Sequence, residues 1–204
     1  LAVYSLSVQG GEEYSSPQIR LRYESLNRPA EVRALTLATG EQHVLKQTPV
    51  EGIFDPDDYL IERLWAKAMD GPHIPISLIC HKDTQGEAPL YLYGYGSYGA
   101  SMDPWFSHAR LSLLHRGWVF ASAHVRGGAD MGEHWYQQGK LQHKENTFSD
   151  FIACAEHLIS TNKTSPQHLV IAGGSAGGLL IGNVINQRPE LFAAAVADVP
   201  FVDV

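Results

Sequence analysis

A serine set among glycines is the pattern in this chain with the clearest chemistry. Gly173-Gly174-Ser175-Ala176-Gly177 follows the short apolar run Leu169-Val170-Ile171-Ala172, and helical spacing resumes through Leu179, Leu180, Val184 and Ile185. The spacing predicts a buried strand, a sharp turn and a helix, with a G-x-S-x-G elbow between them. A serine on so tight a turn is held in a strained backbone conformation, and the glycines let strand and helix approach closely. The turn lifts the Ser175 hydroxyl above the sheet edge, where a base can reach it. The N–H of Ala176, at the start of the helix, then faces the oxyanion that forms when the hydroxyl attacks a carbonyl. The chemistry is acyl transfer with Ser175 as nucleophile.

Two phosphate-binding readings fail on spacing. A Walker A loop needs Lys-Ser/Thr after its last glycine, and Leu179-Leu180 follows Gly178. A dinucleotide loop needs glycine where Ser175 stands. The residues of the turn alone also fit a glycine-rich strand-to-helix connection in some other α/β protein.

The elements that must position Ser175 are legible in order. Residues 1–50 carry three short alternating runs, Ile19–Tyr23, Val32–Leu37 and His43–Lys46, which predict an antiparallel meander. Such a sheet is marginal unless something packs on it; one blade of a β-propeller meets that need. Lys46 to Asp58, with Pro49, Gly52 and Pro56, reads as a connection between domains. Leu64–Ala68 and Ile74–Cys80 predict a strand pair about Asp70-Gly71-Pro72, and Pro89–Tyr93 and Trp118–Ala123 two further strands. Helices are predicted over Phe106–Arg116 and Phe148–Ser160, the latter with Thr147 and Asp150 as a capping box. A last strand covers Ala193–Ala197. Strands alternating with helices predict a mostly parallel α/β sheet.

The totals remove several classes of function. The 204 residues, enough for one domain or parts of two, are 44% hydrophobic and 18% charged, as in a soluble globular protein. With 22 acidic against 15 basic residues the formal net charge is −7, which argues against a nucleic-acid partner. No apolar run approaches the ~20 residues of a membrane span, so no membrane partner is expected. Cys80 and Cys154 have no metal-ligand spacing, and Cys154 reads as a small core residue. No cofactor or metal is expected, and the default compartment is cytoplasmic. The chain opens on Leu1 and stops at Val204 just after an apolar run, so both ends read as cuts.

Further motifs carry a resemblance. Tyr93-Gly94-Tyr95-Gly96-Ser97-Tyr98-Gly99, His124-Val125-Arg126-Gly127-Gly128, the Ser175 elbow, Asn186-Gln187-Arg188-Pro189-Glu190-Leu191-Phe192 and Val199-Pro200-Phe201-Val202-Asp203-Val204 stand in the order seen in the prolyl oligopeptidase family. Ala176 and the Val-Pro-Phe-Val-Asp ending look most like its oligopeptidase B branch. The resemblance covers nearly the whole chain and is strongest from Tyr59 onward. It implies an α/β-hydrolase domain capped by a β-propeller. Residues 1–50 would be the last blade, and 51–204 the first part of the peptidase domain, truncated. It also implies a serine peptidase acting on short peptides, after Lys or Arg. Ser175 would be the nucleophile, with the Ala176 N–H and the Tyr95 hydroxyl as oxyanion donors.

The resemblance also makes Asp103 a candidate for binding basic substrates, although Trp105 stands where a second acid is expected. Asp103 reads equally as an aspartate before proline at a helix start. Tyr98 could line the substrate pocket or pack beneath its loop. Arg126 reads as a structural ion-pair or carbonyl partner. Triad order in this fold is Ser, Asp, His, and no histidine follows Ser175. Asp198 comes earlier than the family places its acid, and Asp203 also follows the serine. The triad acid and base are therefore expected in a missing C-terminal part, and residues 1–204 alone are expected to be inactive. The alternatives are a post-proline oligopeptidase or an esterase of the same fold. From another class, a non-catalytic peptide- or protein-binding domain is possible.

Overall fold

In the computed structural model, which describes residues 3–11 and 13–202, the chain forms two sheets. Asp203, and with it the end of the Val-Pro-Phe-Val-Asp-Val motif, lies outside the described residues. The first sheet is a four-stranded antiparallel meander, β1 (Ser5–Gln9), β2 (Gln18–Ser25), β3 (Arg28–Thr36) and β4 (Gln42–Gln47), paired in chain order. The sequence led to three strands; β1 is the fourth. Its Leu6 and Val8 do alternate, but both are exposed, so their pattern carries little burial. Leu26, at the β2–β3 turn, joins an apolar cluster with Tyr59, Ile79, Leu114 and Phe120. This cluster packs the meander on the rest of the chain, and Phe106 N–H donates to Glu24 Oε1 at 3.0 Å across the same junction.

The second sheet is built from β5 (Tyr59–Lys67), β6 (His73–His81), β7 (Leu90–Gly94), β8 (Val119–Ala123), β9 (Leu169–Gly174) and β10 (Ala194–Asp198). Its order is β10-β9-β7-β8-β6-β5. The three pairings among β10, β9, β7 and β8 are parallel, and β6 pairs antiparallel with both β8 and β5. The helices are α1 (His108–Leu114), α2 (Glu133–Gln137), α3 (Glu145–Ser160) and α4 (Ala176–Gln187). Helix α2, little more than one turn long, is too short to show a helical pattern in the sequence.

Register decides what the fold can position. Gly94 stands opposite Ala123, Tyr93 opposite Ala172, and Asp198 opposite Gly174. The chain therefore leaves β7, β8 and β9 at one level, the carboxyl end of the parallel strands, where open α/β sheets place their sites. Beneath that edge the core is continuous: Leu90, Leu92, Ala121, Leu169 and Ile171 from the strands meet Phe151, Leu158, Leu180 and Val184 from α3 and α4. Cys154 is fully buried within it, as expected. β10 closes the sheet on one side, and every one of its residues is exposed.

Two local readings are corrected. Helix α1 begins at His108 with Ser107 as N-cap, so Asp103 does not start a helix. Thr147 and Asp150 are not a capping box, because α3 begins earlier and both side chains turn inward. Thr147 Oγ1 donates to the Arg126 carbonyl at 2.7 Å. The Asp150 carboxylate accepts three hydrogen bonds from Arg126, one from its backbone N–H and two from the guanidinium, at 2.6–3.0 Å. The Arg126 guanidinium also forms a two-bond fork with Asp70, at 2.6 and 3.0 Å. Arg126 is thus the structural ion-pair partner its sequence setting indicated.

Burial alone would lower the Arg126 pKa, but its bonds to Asp150 and Asp70 raise it above the ordinary arginine value. Burial raises the Asp150 carboxyl, opposed by the same guanidinium. Removing one partner strands a charge in the core, a loss of ~3–5 kcal/mol. We therefore predict that Arg126→Met sharply lowers the thermal midpoint of the complete protein. Adding Asp150→Leu should recover part of the loss, and an unchanged midpoint in the single variant would contradict the account.

Candidate active site

Ser175 stands between β9 and α4 with φ 52° and ψ −116°. A non-glycine residue there is strained, typically by ~1–3 kcal/mol, and persists only where its surroundings over-determine it. Here three backbone hydrogen bonds do so. Ser175 N–H donates to the Asp198 carbonyl, and its own carbonyl accepts from Gly178 and Phe201, each at 2.9 Å. The consequence is an exposed Ser175 side chain directly above a buried Ala176. Ala176 is the first residue of α4, so its N–H has no acceptor within the helix.

The elbow glycines are needed for approach. A Cβ on Gly173 would lie 2.8 Å from the Gly94 carbonyl oxygen and would collide with the Gly177 carbonyl. A Cβ on Gly177 would lie 2.7 Å from the same Gly94 oxygen and 3.4 Å from Tyr95 Cα and Cδ2. The half-buried Tyr95 is therefore stacked against the first turn of α4, on the loop leaving β7. Ser175, Ala176 and Tyr95 come together at one point of the sheet edge.

Tyr98 does not pack beneath this loop. It is 73% exposed with φ 58°, a strained and solvent-exposed aromatic. Asp103 lies further along the same crossing segment, on the β8 side of β7 rather than the β9 side. It lines a groove of about 430 Å3 with Arg63, Trp65, Met102, His124 and Asp130.

The structure contains a serine–histidine–aspartate arrangement with no counterpart in any sequence motif. Ser77 Oγ is 2.6 Å from His124 Nε2, and His124 Nδ1 is 2.7 Å from Asp130 Oδ1. The bonding order is that of a catalytic triad, but Ser77 lies within β6 and is 1% exposed. No substrate carbonyl can reach it. The arrangement instead ties loops together: Asp130 accepts from Met102 N–H at 2.8 Å, and Trp135 Nε1 donates to the His124 carbonyl at 2.9 Å. Among the described residues the histidine side-chain hydrogen bonds go to Tyr59, Ser77, Asp83, Asp130, Pro49, Ser165 and Glu87, and none to Ser175.

Known proteins resemble this chain in sequence and fold. Residues 104–204 match the prolyl oligopeptidase family. Protease 2 of Moraxella lacunata is 47% identical over 204 residues, which cover 99% of this chain and 30% of that protein. The structure of oligopeptidase B from Leishmania major superposes with a TM-score of 0.91 at 44% identity, over 99% of this chain and 29% of the other. Oligopeptidase B from Trypanosoma brucei, in a closed form with covalently bound antipain, also gives 0.91, at 45% identity and the same coverage. The chain thus spans about 30% of the length of the relatives it matches.

Close approach of Gly94 to the elbow makes a specific demand. Gly177→Ala in the complete protein should push the β7 loop off α4, costing ~1–3 kcal/mol as other overpacked sites do. Wild-type stability in that variant would show that the loop and elbow are not in contact.

Proposed function

The chain belongs to the prolyl oligopeptidase family, and from that premise we propose that it carries the nucleophile of a serine oligopeptidase that cleaves short peptides after Lys or Arg. The observation that supports this reading most is the exposed Ser175 on its strained elbow, with the Ala176 N–H and Tyr95 beside it. In the proposed reaction Ser175 Oγ attacks the scissile carbonyl and its proton passes to a histidine base outside this chain; the C–N bond then breaks, the histidinium gives that proton to the leaving amine, and an acyl-enzyme ester remains. The Ala176 N–H and the Tyr95 hydroxyl hold the oxyanion. A phenol serves well because it is a strong donor whose bond tightens as charge develops. Water then hydrolyses the ester and releases the acid product.

Asp103 supplies a carboxylate for the basic side chain of the substrate, and Tyr98 an aromatic face for the peptide. Residues 1–50 are proposed to be the last blade of a β-propeller, and residues 51–204 the opening part of the α/β-hydrolase domain. A C-terminal part would add strands beside β10 and supply the triad acid and base. Among the described residues no helix is long and apolar enough to cross a membrane. Two buried, unpaired thiols accord with a cytoplasmic setting.

Ser175→Ala in the complete protein should abolish cleavage of an Arg-amide substrate while leaving the fold intact, as circular dichroism would report. Turnover near the parent rate would refute the assignment. Tyr95→Phe should lower kcat by roughly 10²–10³, with KM changed less, the usual loss for one oxyanion donor. A kcat within about threefold of the parent would make Tyr95 a packing residue only. Residues 1–204 expressed alone should not hydrolyse the same substrate, because a serine without its base is a weak nucleophile. Activity that disappears on Ser175→Ala would instead reveal a base within this chain.

A further inference from the structure

Lys144 is placed where a lysine is electrostatically unwelcome. It occupies the N-cap of α3, a 16-residue helix whose positive pole repels a cation. It is half-buried, and burial pushes its ammonium down to about 8, with no carboxylate among the described residues opposing the shift. Glu145, the next residue, points to solvent. What the ammonium does contact is the loop leaving β7. Its Nζ donates to the Gly96 carbonyl at 2.5 Å and to Ser97 Oγ at 2.8 Å, and it lies 5.9 Å from the Phe148 ring centroid.

Those contacts complete a clamp on one peptide unit. Gly96 has φ +66°, and a Cβ there would strike the Thr147 and Val125 side chains. On its other side a Cβ on Gly127 would collide with the Gly96 carbonyl oxygen, so that carbonyl is pressed between Gly127 and Lys144. Gly96 directly follows Tyr95, so the clamp holds the backbone one residue from the Tyr95 side chain.

We propose that Lys144 is a positioning residue for the reaction: by holding the Gly96 carbonyl it aims the Tyr95 hydroxyl at the oxyanion. The proposal rests on the reading of Tyr95 as an oxyanion donor. It assigns Lys144 no contact with substrate and no proton transfer. A loop off by about 1 Å can reduce turnover a hundredfold, so a residue acting only through geometry can matter to kcat.

A double-mutant cycle in the complete protein tests it, with Lys144→Met and Tyr95→Phe and an Arg-amide substrate. Lys144→Met removes the donor while keeping an unbranched side chain. Alone it should lower kcat by roughly tenfold to a hundredfold with KM within about threefold. On the Tyr95→Phe background the same substitution should change kcat by less than about twofold, because there is no hydroxyl left to aim. An unchanged kcat for Lys144→Met overturns the proposal. An equal loss on both backgrounds overturns it too, since Lys144 would not act through Tyr95. A silent Tyr95→Phe beside an impaired Lys144→Met overturns the donor reading of Tyr95 and the route through it together. Should Lys144→Met fail to fold, Lys144→Leu, which also lacks a donor, enters the same cycle with the same expected losses, and a kcat equal to the parent's would overturn the proposal.

Discussion

Backbone contact without side chains between is the constraint on which this site depends. The Gly94 carbonyl at the end of β7 faces two glycines of the elbow, and neither position has room for even a methyl group. Because β7 and β9 are parallel neighbours in register, their carboxyl ends arrive at one level, and the loop after one must pass the turn after the other. Side chains there would force the two apart. With glycines, Tyr95 rests on the first turn of α4 and the strained Ser175 stands beside it.

Strain at Ser175 and close packing at Gly94 must be held by stiffer parts of the molecule. On the elbow side the support is backbone: Asp198 and Phe201 bond to both polar groups of Ser175. On the loop side it is an ionic network. Arg126, almost fully buried, gathers Asp150 from α3 and Asp70 from the β5–β6 turn, and its carbonyl receives the Thr147 hydroxyl. Gly127, the next residue, presses on the Gly96 carbonyl. The charged core therefore lies one residue from the loop that carries Tyr95. Its value is in fixing geometry, since buried ion pairs add little net stability over apolar packing.

Much of this was legible in the sequence where local pattern and tertiary role coincide. The Leu169–Ala172 strand, the Ser175 turn and the helix after it announce themselves because turn geometry and chemistry demand the same residues. Legibility failed where a local pattern was borrowed for a distant purpose. Thr147 and Asp150 have capping-box spacing, yet their partner is Arg126, more than twenty residues upstream. Ser77 and His124 are 47 residues apart and meet only because β6 pairs with β8. Lys144 shows nothing in sequence, since its role depends on a carbonyl 48 residues away. Tyr95 looks locally like one more aromatic in Tyr91-Leu92-Tyr93-Gly94-Tyr95. Its candidacy came from family resemblance, and the structure adds its position against Gly177.

Two serines thus compete on paper for the role of nucleophile: Ser77, with a histidine and an aspartate in line, and Ser175, exposed on its elbow. Exposure and backbone geometry favour Ser175, and covalent labelling distinguishes the two directly. Treating the complete protein with a peptidyl phosphonate that reacts with activated serines, followed by peptide mapping by mass spectrometry, should place a single adduct on Ser175. An adduct on Ser77 or another serine, or none under conditions where the enzyme turns over, would contradict the account.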